Sequence, residues 1–259
     1  MYLKSDAIVV GRSPFRNTSL VLRCYTSRHG VLTALAKGAF RRRRKAEPPS
    51  VPDLFERGEI VAYVRPGRDL GIVHEWTLDS IRPGLRADYD AFRAAAGCAA
   101  LVTLLGRDAG GGGEHFGALD EALADLDTGA SPRPVVWRFA LVALARAGFL
   151  APLDRCVSCG GGFGPAGAEA AGLSAEAGGL VCRECRSHGA GPAEEGAGTG
   201  GAFVPLPPDA AAAARFLAGS ARAARTLKVS TRAAAALERA VRAFVEYTLE
   251  RPVPALAPE

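Results

Sequence analysis

Four cysteines in two close pairs have the clearest chemical meaning of any residues in this chain. The pairs are Cys156-Val-Ser-Cys159 and Cys182-Arg-Glu-Cys185, and 22 residues separate them. This spacing is typical of a zinc site with four cysteine ligands. Because Zn²⁺ takes four ligands in a tetrahedron, two such turns would complete its coordination and leave no position for water. The pattern predicts one structural zinc ion, Zn2+, in a module at about residues 154–190.

Two other interpretations of the cysteine pairs remain open. They could form two disulfides or stay as unligated thiols, and His188 could replace one sulfur, although we interpret it as a loop histidine. The chain starts without an apolar export segment, so we expect a cytoplasmic protein, where paired cysteines more often bind metal. Its remaining cysteines, Cys24 and Cys98, are predicted to be small buried residues. No apolar stretch approaches the length of a membrane span, so we expect no contact with membranes.

The positive charge of the chain is concentrated in its first third. The whole chain has a net charge of +5, but residues 1–82 hold 15 Lys and Arg against 8 Asp and Glu, a net charge of +7. The remaining residues hold 17 against 19, a net charge of −2. Because a basic surface attracts polyanions, we predict that the first third binds nucleic acid.

Residues 1–82 have the pattern of a small β-barrel. Leu20, Leu22 and Cys24 fall at alternate positions, as expected of a strand with one buried face. Five strands in about 80 residues are typical of an OB-fold, whose face and loops commonly bind nucleic-acid strands. We predict strands at residues 5–11, 20–25, 31–37, 59–64 and 70–78.

From residue 83 to residue 259 the pattern indicates a mainly α-helical domain with the zinc module inserted in it. Apolar residues recur three and four positions apart, which is typical of helices with one buried face. We expect zinc to fold the cysteine segment, because it is too rich in glycine to build its own core. Residues 186–202 are predicted to be a flexible connector. The predicted helices begin near Arg86, Phe116, Arg133, Asp209 and Ser230, and the third extends to Leu150. The fold class is therefore α+β.

A run of cations follows the third predicted strand. The positive charges of its last five residues repel one another. Binding to the phosphates of a nucleic acid would relieve that repulsion and release the counterions condensed on the phosphates. Phe40, beside the run, could stack on a base. The alternative is a solvated loop whose arginines prevent aggregation. The predicted DNA-binding residues are Lys37, Phe40, Arg41, Arg42, Arg43, Arg44 and Lys45, with Arg12, Arg16, Arg65 and Arg68 near other turns as extensions of this surface.

The rest of the sequence gives no sign of catalysis. It has no pattern of nucleophile and base and no carboxylate cluster for metal-assisted hydrolysis, so we predict that the protein is not an enzyme. Residues 110–113 lack the Gly-Lys-Ser/Thr of a phosphate loop and are interpreted as a flexible loop. The strand residues Tyr2, Tyr25, Tyr63 and Trp76 are interpreted as core side chains rather than stacking platforms.

Several short motifs, in order along the chain, resemble the RecO family of bacterial recombination mediators. The helical region and the cysteine pairs also fit that family, and the order of the motifs gives the resemblance its weight. The motifs are Asp6-Ala7-Ile8-Val9-Val10 in the first strand, Thr26-Ser-Arg-His-Gly30 after the second, and Ala36-Lys37-Gly38-Ala39-Phe40-Arg41, the most specific, after the third.

This resemblance implies an N-terminal OB-fold, a helical domain with an inserted zinc module, and a function in recombinational repair on the nucleoid. It implies binding of single- and double-stranded DNA, annealing of complementary strands, and partnership with RecR. With RecR, the family loads RecA onto strands coated by single-stranded DNA-binding protein, whose acidic tail is also a ligand. The chain has Glu250-Arg251-Pro252 where the family often has a Lys-Ser pair, and its connector is longer than the family predicts. From the residues alone, a zinc-ribbon nuclease or RNA-modifying enzyme and a zinc-containing adaptor remain alternatives.

Overall fold

The N-terminal part of the chain folds as a five-stranded barrel, which confirms the five predicted strands. A computed structural model describes residues 1–40, 52–65, 67, 69–108, 112–164, 169–188, 203–220, 222–251 and 253. The strands of the barrel are β1 (Tyr2–Phe15), β2 (Ser19–Thr26), β3 (Gly30–Ala36), β4 (Arg57–Tyr63) and β5 (Leu70–Ser80).

The barrel is closed, with neighbouring strands in the order β1-β2-β3-β5-β4 and β4 returning to β1. Strands β3 and β5 pair in parallel, with Thr33 opposite Leu70, and the other neighbours pair antiparallel. Alternate residues of each strand point inward, as the pleat of a β-strand requires. The closed five-stranded barrel confirms the predicted OB architecture. Its interior contains Ala7, Val9, Leu20, Leu22, Cys24, Leu32, Ala34, Ile60 and Ala62.

The helical part begins at α1 and packs around α4, whose apolar side chains are buried on nearly every side. Helix α4 ends at Arg146, four residues before the predicted end at Leu150, because Gly148 adopts a positive φ of 80° that stops a helix. The helices are α1 (Pro83–Ala87), α2 (Tyr89–Asp108), α3 (Phe116–Asp127), α4 (Pro132–Arg146), α5 (Arg183–Ser187), α6 (Pro208–Gly219), α7 (Ala223–Thr226) and α8 (Thr231–Leu249).

A small antiparallel sheet, which the sequence did not predict, follows α4 in the chain and packs against α6 and α8. Its strands are β6 (Ala170–Ser174), β7 (Gly179–Cys182) and β8 (Phe203–Pro205), in the order β7-β6-β8. Helix α5 occupies the first two residues of the segment predicted as a connector, and residues 189–202 lie outside the described part of the chain. None of the helices described is long and apolar enough to cross a bilayer.

Part of the barrel joins the hydrophobic core of the helices, while the barrel interior forms a second cluster. Ile8 and Tyr25 of the barrel and Phe55 before β4 belong to the same buried cluster as Leu101 of α2 and Phe139 of α4. The predicted boundary near residue 82 therefore falls at the turn between β5 and α1, and three side chains of the N-terminal part cross it to pack in the core of the helices.

The four aromatic strand residues have different environments. Tyr25 is buried at the junction with the helices, and Trp76 packs partly against the interior of the barrel. Tyr2, however, is 61 % exposed, and its ring lies 5.2 Å from that of the half-buried Tyr63. The interpretation of Tyr2 as a core residue was therefore wrong, because residue 2 faces outward in the register of β1 and β4.

Gly112 and Gly113, the described part of the predicted flexible loop, pack tightly against the turn between β2 and β3. A Cβ atom on Gly113 would lie 2.2 Å from the carbonyl oxygen of Thr26 and 2.4 Å from the backbone of Ser27. Since these contacts are with backbone atoms, a side chain there would force the turn to move. The interpretation of this loop as freely flexible was therefore wrong for these two residues.

We expect Gly113→Ala to lower the free energy of unfolding by about 1–3 kcal/mol, as is usual when a packed site is overfilled. Gly117 provides a matched control, because it lies in helix α3 and a Cβ atom added to it would meet no other atom within 4 Å. Gly117→Ala should instead stabilise the protein by about 0.5–1 kcal/mol. Urea denaturation of both variants measures the difference, and equal effects at the two positions would contradict the tight packing.

Candidate metal centre and candidate nucleic-acid interface

The four paired cysteines come together at one point. The sulfur atoms of Cys156, Cys159, Cys182 and Cys185 all lie within 4.8 Å of one another. The sulfurs of Cys159 and Cys182 are 3.9 Å apart. A tetrahedral ion with Zn–S bonds of about 2.3 Å would place its sulfurs about 3.8 Å apart, so the observed spacing matches zinc. All six cysteines of the chain are free thiols, which does not support the disulfide alternative.

Local backbone geometry positions each sulfur. Cys156 begins a tight turn in which its N–H donates to Gly161 O at 2.8 Å, and Gly160, with φ of 73°, donates back to Cys156 O at 2.9 Å. Cys182 ends β7 and caps helix α5, so that Cys185 lies within the first turn of that helix. The sequence therefore forms two sharp turns that direct two sulfurs each toward the same point.

Backbone hydrogen bonds favour the thiolate form that a metal requires. The Cys182 N–H donates to the sulfur of Cys156 at 3.3 Å, and the Cys185 N–H donates to that of Cys182 at 3.3 Å. Burial alone raises the pKa of Cys156, but the N–H groups of Cys182, Cys159 and Ser158 outweigh it and lower that pKa to about 6. Such a thiolate is a ligand at neutral pH.

The environment of Cys185 differs from that of Cys156. The sulfur of Cys185 lies beside the other three, and the Cys182 sulfur, followed by that of Cys159, raises the pKa of Cys185. A divalent cation at the centre would favour the thiolate form of all four cysteines. The donor set and spacing therefore fit Zn²⁺, which would hold the two turns together as a closed structural site without an open position for substrate.

His188 is not part of this cluster. It follows helix α5, where its Nδ1 atom lies 2.7 Å from the carbonyl oxygen of Glu184. A ring nitrogen at this distance donates to the carbonyl, which holds the imidazole against its own helix. The four-cysteine set predicted from spacing is therefore the set that the structure brings together.

The module is more than a loop folded by metal. Phe163, Leu173, Leu180 and Val181 are buried and belong to the large core shared with the helices. Arg215 of α6 donates to the carbonyl oxygens of Gly164 and Phe163, at 2.5 and 3.2 Å. These side chains belong to the helical core and do not form a separate core of the module, and the expectation that zinc folds the segment stays a prediction.

Several of the predicted DNA-binding residues lie at one end of the barrel. Arg16 is in the turn between β1 and β2, and Lys37 and Phe40 follow β3. The N–H of Phe40 donates to the carbonyl oxygen of Thr18 at 3.1 Å, which joins the two segments. Within the described residues, Arg16 and Lys37 form no ion pair, so their charges face solvent. Arg41 to Lys45 follow directly in sequence but, like Arg68, lie outside the described residues.

Arg12 and Arg65 differ from this group. Arg12 is paired with the carboxylate of Asp53, which also lies 3.0 Å from Arg86, so its charge is already compensated. Arg65 is exposed but follows β4, which ends where Tyr63 lies opposite Tyr2, at the start of β1. Arg16 follows the other end of β1, so the structure does not bring Arg65 to the same end of the barrel.

An ion cluster that the sequence did not predict joins the barrel to the helices. Arg82, just after β5, has a side chain only 5 % exposed, and it contacts Asp120 of α3 and the carbonyl oxygen of Phe55. Arg57 of β4 contacts the other oxygen of Asp120 at 2.6 Å. Burial lowers the pKa of Arg82, whereas the nearby carboxylate of Asp120 raises the same pKa. Because these residues are far apart in the sequence, no local sequence pattern could have predicted the cluster.

These features define a class of protein: an OB-type barrel with a cationic end, joined through a common core to a helical domain with a four-thiolate metal module. Comparison with known families gives the same result. The family model described as the recombination protein O N terminal matches residues 1–81, and that described as the recombination protein O C terminal matches residues 86–257. The chain belongs to the RecO family of DNA repair proteins.

Three individual relatives, each named DNA repair protein RecO, agree with this assignment. The protein of Rubrobacter xylanophilus is 31% identical over 188 residues, which cover 71% of each chain. That of Myxococcus xanthus is 30% identical over 223 residues, 82% of this chain and 87% of its own. That of Geobacter metallireducens is 29% identical over 195 residues, 75% of this chain and 77% of its own.

Proposed function

We propose that the protein binds single- and double-stranded DNA through the cationic end of its barrel and anneals complementary strands. The observation that supports this most directly is the position of Arg16 and Lys37, two cations without a described acidic partner, on hydrogen-bonded neighbouring segments. The second of these segments leads into five further consecutive cations in the sequence. Together they would present a concentrated positive charge to a polyanion.

Annealing follows from this arrangement without any bond chemistry. Two complementary strands repel each other, and a cationic surface that binds their phosphates screens that repulsion. Contacts to phosphates position a strand but do not read its sequence, so the bases remain free to pair. The proposed activity is therefore non-enzymatic, independent of sequence and strongly dependent on salt.

The family assignment supports a wider function in recombinational repair. We propose that the protein acts with RecR to load RecA onto strands coated by single-stranded DNA-binding protein, and that it binds the acidic tail of that protein. These partners come from the resemblance to the RecO family and from relatives named as DNA repair proteins. They would place the protein in the cytoplasm, on the nucleoid during repair.

Replacement of Arg41, Arg42, Arg43 and Arg44 by alanine should sharply reduce DNA affinity. Each lost contact with a single strand removes about 0.7 from the slope of log K against log salt, so four would reduce its magnitude by about 3. Fluorescence anisotropy at several salt concentrations measures both quantities. The exposed Arg232 and Arg239 of α8 offer a control, because their replacement by alanine leaves the barrel intact.

Unchanged DNA binding at low salt by the four-alanine variant would reject this surface. Strand cleavage that depends on Mg²⁺ would instead favour the nuclease alternative, and a zinc-containing protein that binds a partner but not DNA would favour the adaptor. A strand-annealing assay, with and without single-stranded DNA-binding protein, tests the proposed activity itself.

A further inference from the structure

Two phenylalanine side chains are exposed at the cationic end of the barrel. Phe15, the last residue of β1, is 39 % exposed, and Phe40 is 44 % exposed. Phe15 pairs with Ser19 across the turn, and the backbone of Phe40 binds that same turn through Thr18. The two rings are therefore carried by adjoining segments, one on each side of the turn that holds Arg16.

Packing among the residues that the structure describes does not account for these rings. Neither Phe15 nor Phe40 belongs to the two hydrophobic clusters or to the partly buried residues packed against them. The neighbour of Phe40, Ala39, does pack against the barrel interior and so anchors the segment without help from the ring. Exposed aromatic side chains that contribute nothing to a core are typical of binding surfaces.

Cations lie beside these rings, as they do in binding sites for single-stranded nucleic acid. The guanidinium carbon of Arg16 lies 5.4 Å from the centroid of the Phe15 ring, within the range of a cation–π contact. Arg16 has a φ of 54°, a left-handed conformation that is unfavourable for a residue with a side chain and tends to occur at functional sites. Asp53, the carboxylate at Arg12, is already neutralised by Arg12 and Arg86. Rings beside cations that have no acidic partner in the described part of the chain are the elements that bind single-stranded nucleic acid.

We propose that Phe15 and Phe40 stack on unpaired bases and make this end of the barrel selective for single strands over duplex. This inference rests on the proposed DNA-binding function and deepens it, because it assigns the strand preference to two named rings. The bases of a duplex are already stacked on one another, so a protein ring reaches their faces only in a single strand. The cations, in contrast, contact phosphates that both forms of DNA possess.

The test compares the full chain with Phe15→Ala, Phe40→Ala and the double variant. Their affinities are measured for a single-stranded oligonucleotide and for a duplex of the same length, each at several salt concentrations. We expect each substitution to weaken single-strand binding about 5- to 140-fold, the range that corresponds to the stacking of one base. Duplex affinity should change less than about twofold, and the salt slope should not change because a phenylalanine neutralises no phosphate.

Two further variants make the result specific. Phe216 of α6, which is 47 % exposed in the helical domain, provides a matched control, and Phe216→Ala should leave both affinities unchanged. Phe40→Trp should retain single-strand affinity, since indole also stacks on bases, and its fluorescence should be quenched on binding. Equal thermal unfolding curves of the variants would show that the substitutions leave the fold intact.

The outcomes separate this inference from the proposed function. If the alanine variants bind single strands as the unaltered chain does, or lose single-strand and duplex affinity equally, the stacking inference is overturned while DNA binding stands. If the unaltered chain binds neither form of DNA at low salt, the proposed function fails and the inference fails with it.

Discussion

Protein carrying Cys156→Ser should lose its metal. Elemental analysis of the unaltered chain, purified without added metal, should give about one zinc per chain, and the variant should contain less than about a tenth of that. Cys156 is the most deeply buried of the four ligands and receives the N–H of Cys182, so its replacement removes a ligand and disturbs the second turn. Because the binding energy of a structural zinc is also folding energy, the module should unfold.

The control for this experiment is a cysteine outside the cluster. Cys98 of α2 is fully buried, and burial raises its pKa to about 12, so it behaves as an apolar side chain and not as a ligand. Cys98→Ala should retain a full equivalent of zinc despite a small loss of stability. Zinc below about a tenth of an equivalent in the unaltered chain would reject the metal centre, and so would full retention by Cys156→Ser.

Removal of the carboxylate at Asp120 should destabilise the whole protein. In Asp120→Asn, Arg82 keeps its charge in a site where its side chain is only 5 % exposed, with its ionic partner gone. Breaking a buried ion pair in this way typically costs about 3–5 kcal/mol. For a chain of this size, we expect the unfolding temperature to fall by about 10 °C, which calorimetry would measure.

A surface ion pair of the barrel provides a control for the Asp120→Asn experiment. Lys4 and Glu59 are 3.0 Å apart, but both side chains are largely exposed, so Glu59→Gln should change the stability by less than about 1 kcal/mol. If Asp120→Asn were as stable as Glu59→Gln, the cluster would not hold the barrel to the helices. A loss of stability without any change in zinc content would show that this junction and the metal centre act separately.

The parts of the fold that follow a local pattern could be predicted from the sequence. Alternation at Leu20, Leu22 and Cys24 revealed a barrel strand. Apolar residues three and four positions apart revealed helices such as α8, whose Leu237, Val241 and Phe244 are buried. The Cys-x-x-Cys pairs also specify their chemistry locally, since two residues between sulfurs are enough to direct both at one ion.

The parts that escaped prediction depend on distance along the chain or on short elements. Strands β6 to β8 have five, four and three residues, too few and too rich in Gly and Ala to show alternation. Arg82 and Asp120 are 38 residues apart in the sequence, and nothing marks them as partners before the chain folds. Phe15 lies beyond the first predicted strand, residues 5–11, and its exposure depends on where β1 and the barrel end.

The core shared by Ile8, Tyr25 and Phe55 with the helices also bears on how this protein can evolve. Two family models divide the chain near residue 81, yet the side chains on either side of that division pack as one body. Exchange of a barrel between related genes would bring together surfaces that had not adapted to each other. The two halves are therefore expected to be inherited as a unit, with substitutions at these three positions compensated in α2, the helix that contacts the barrel strands.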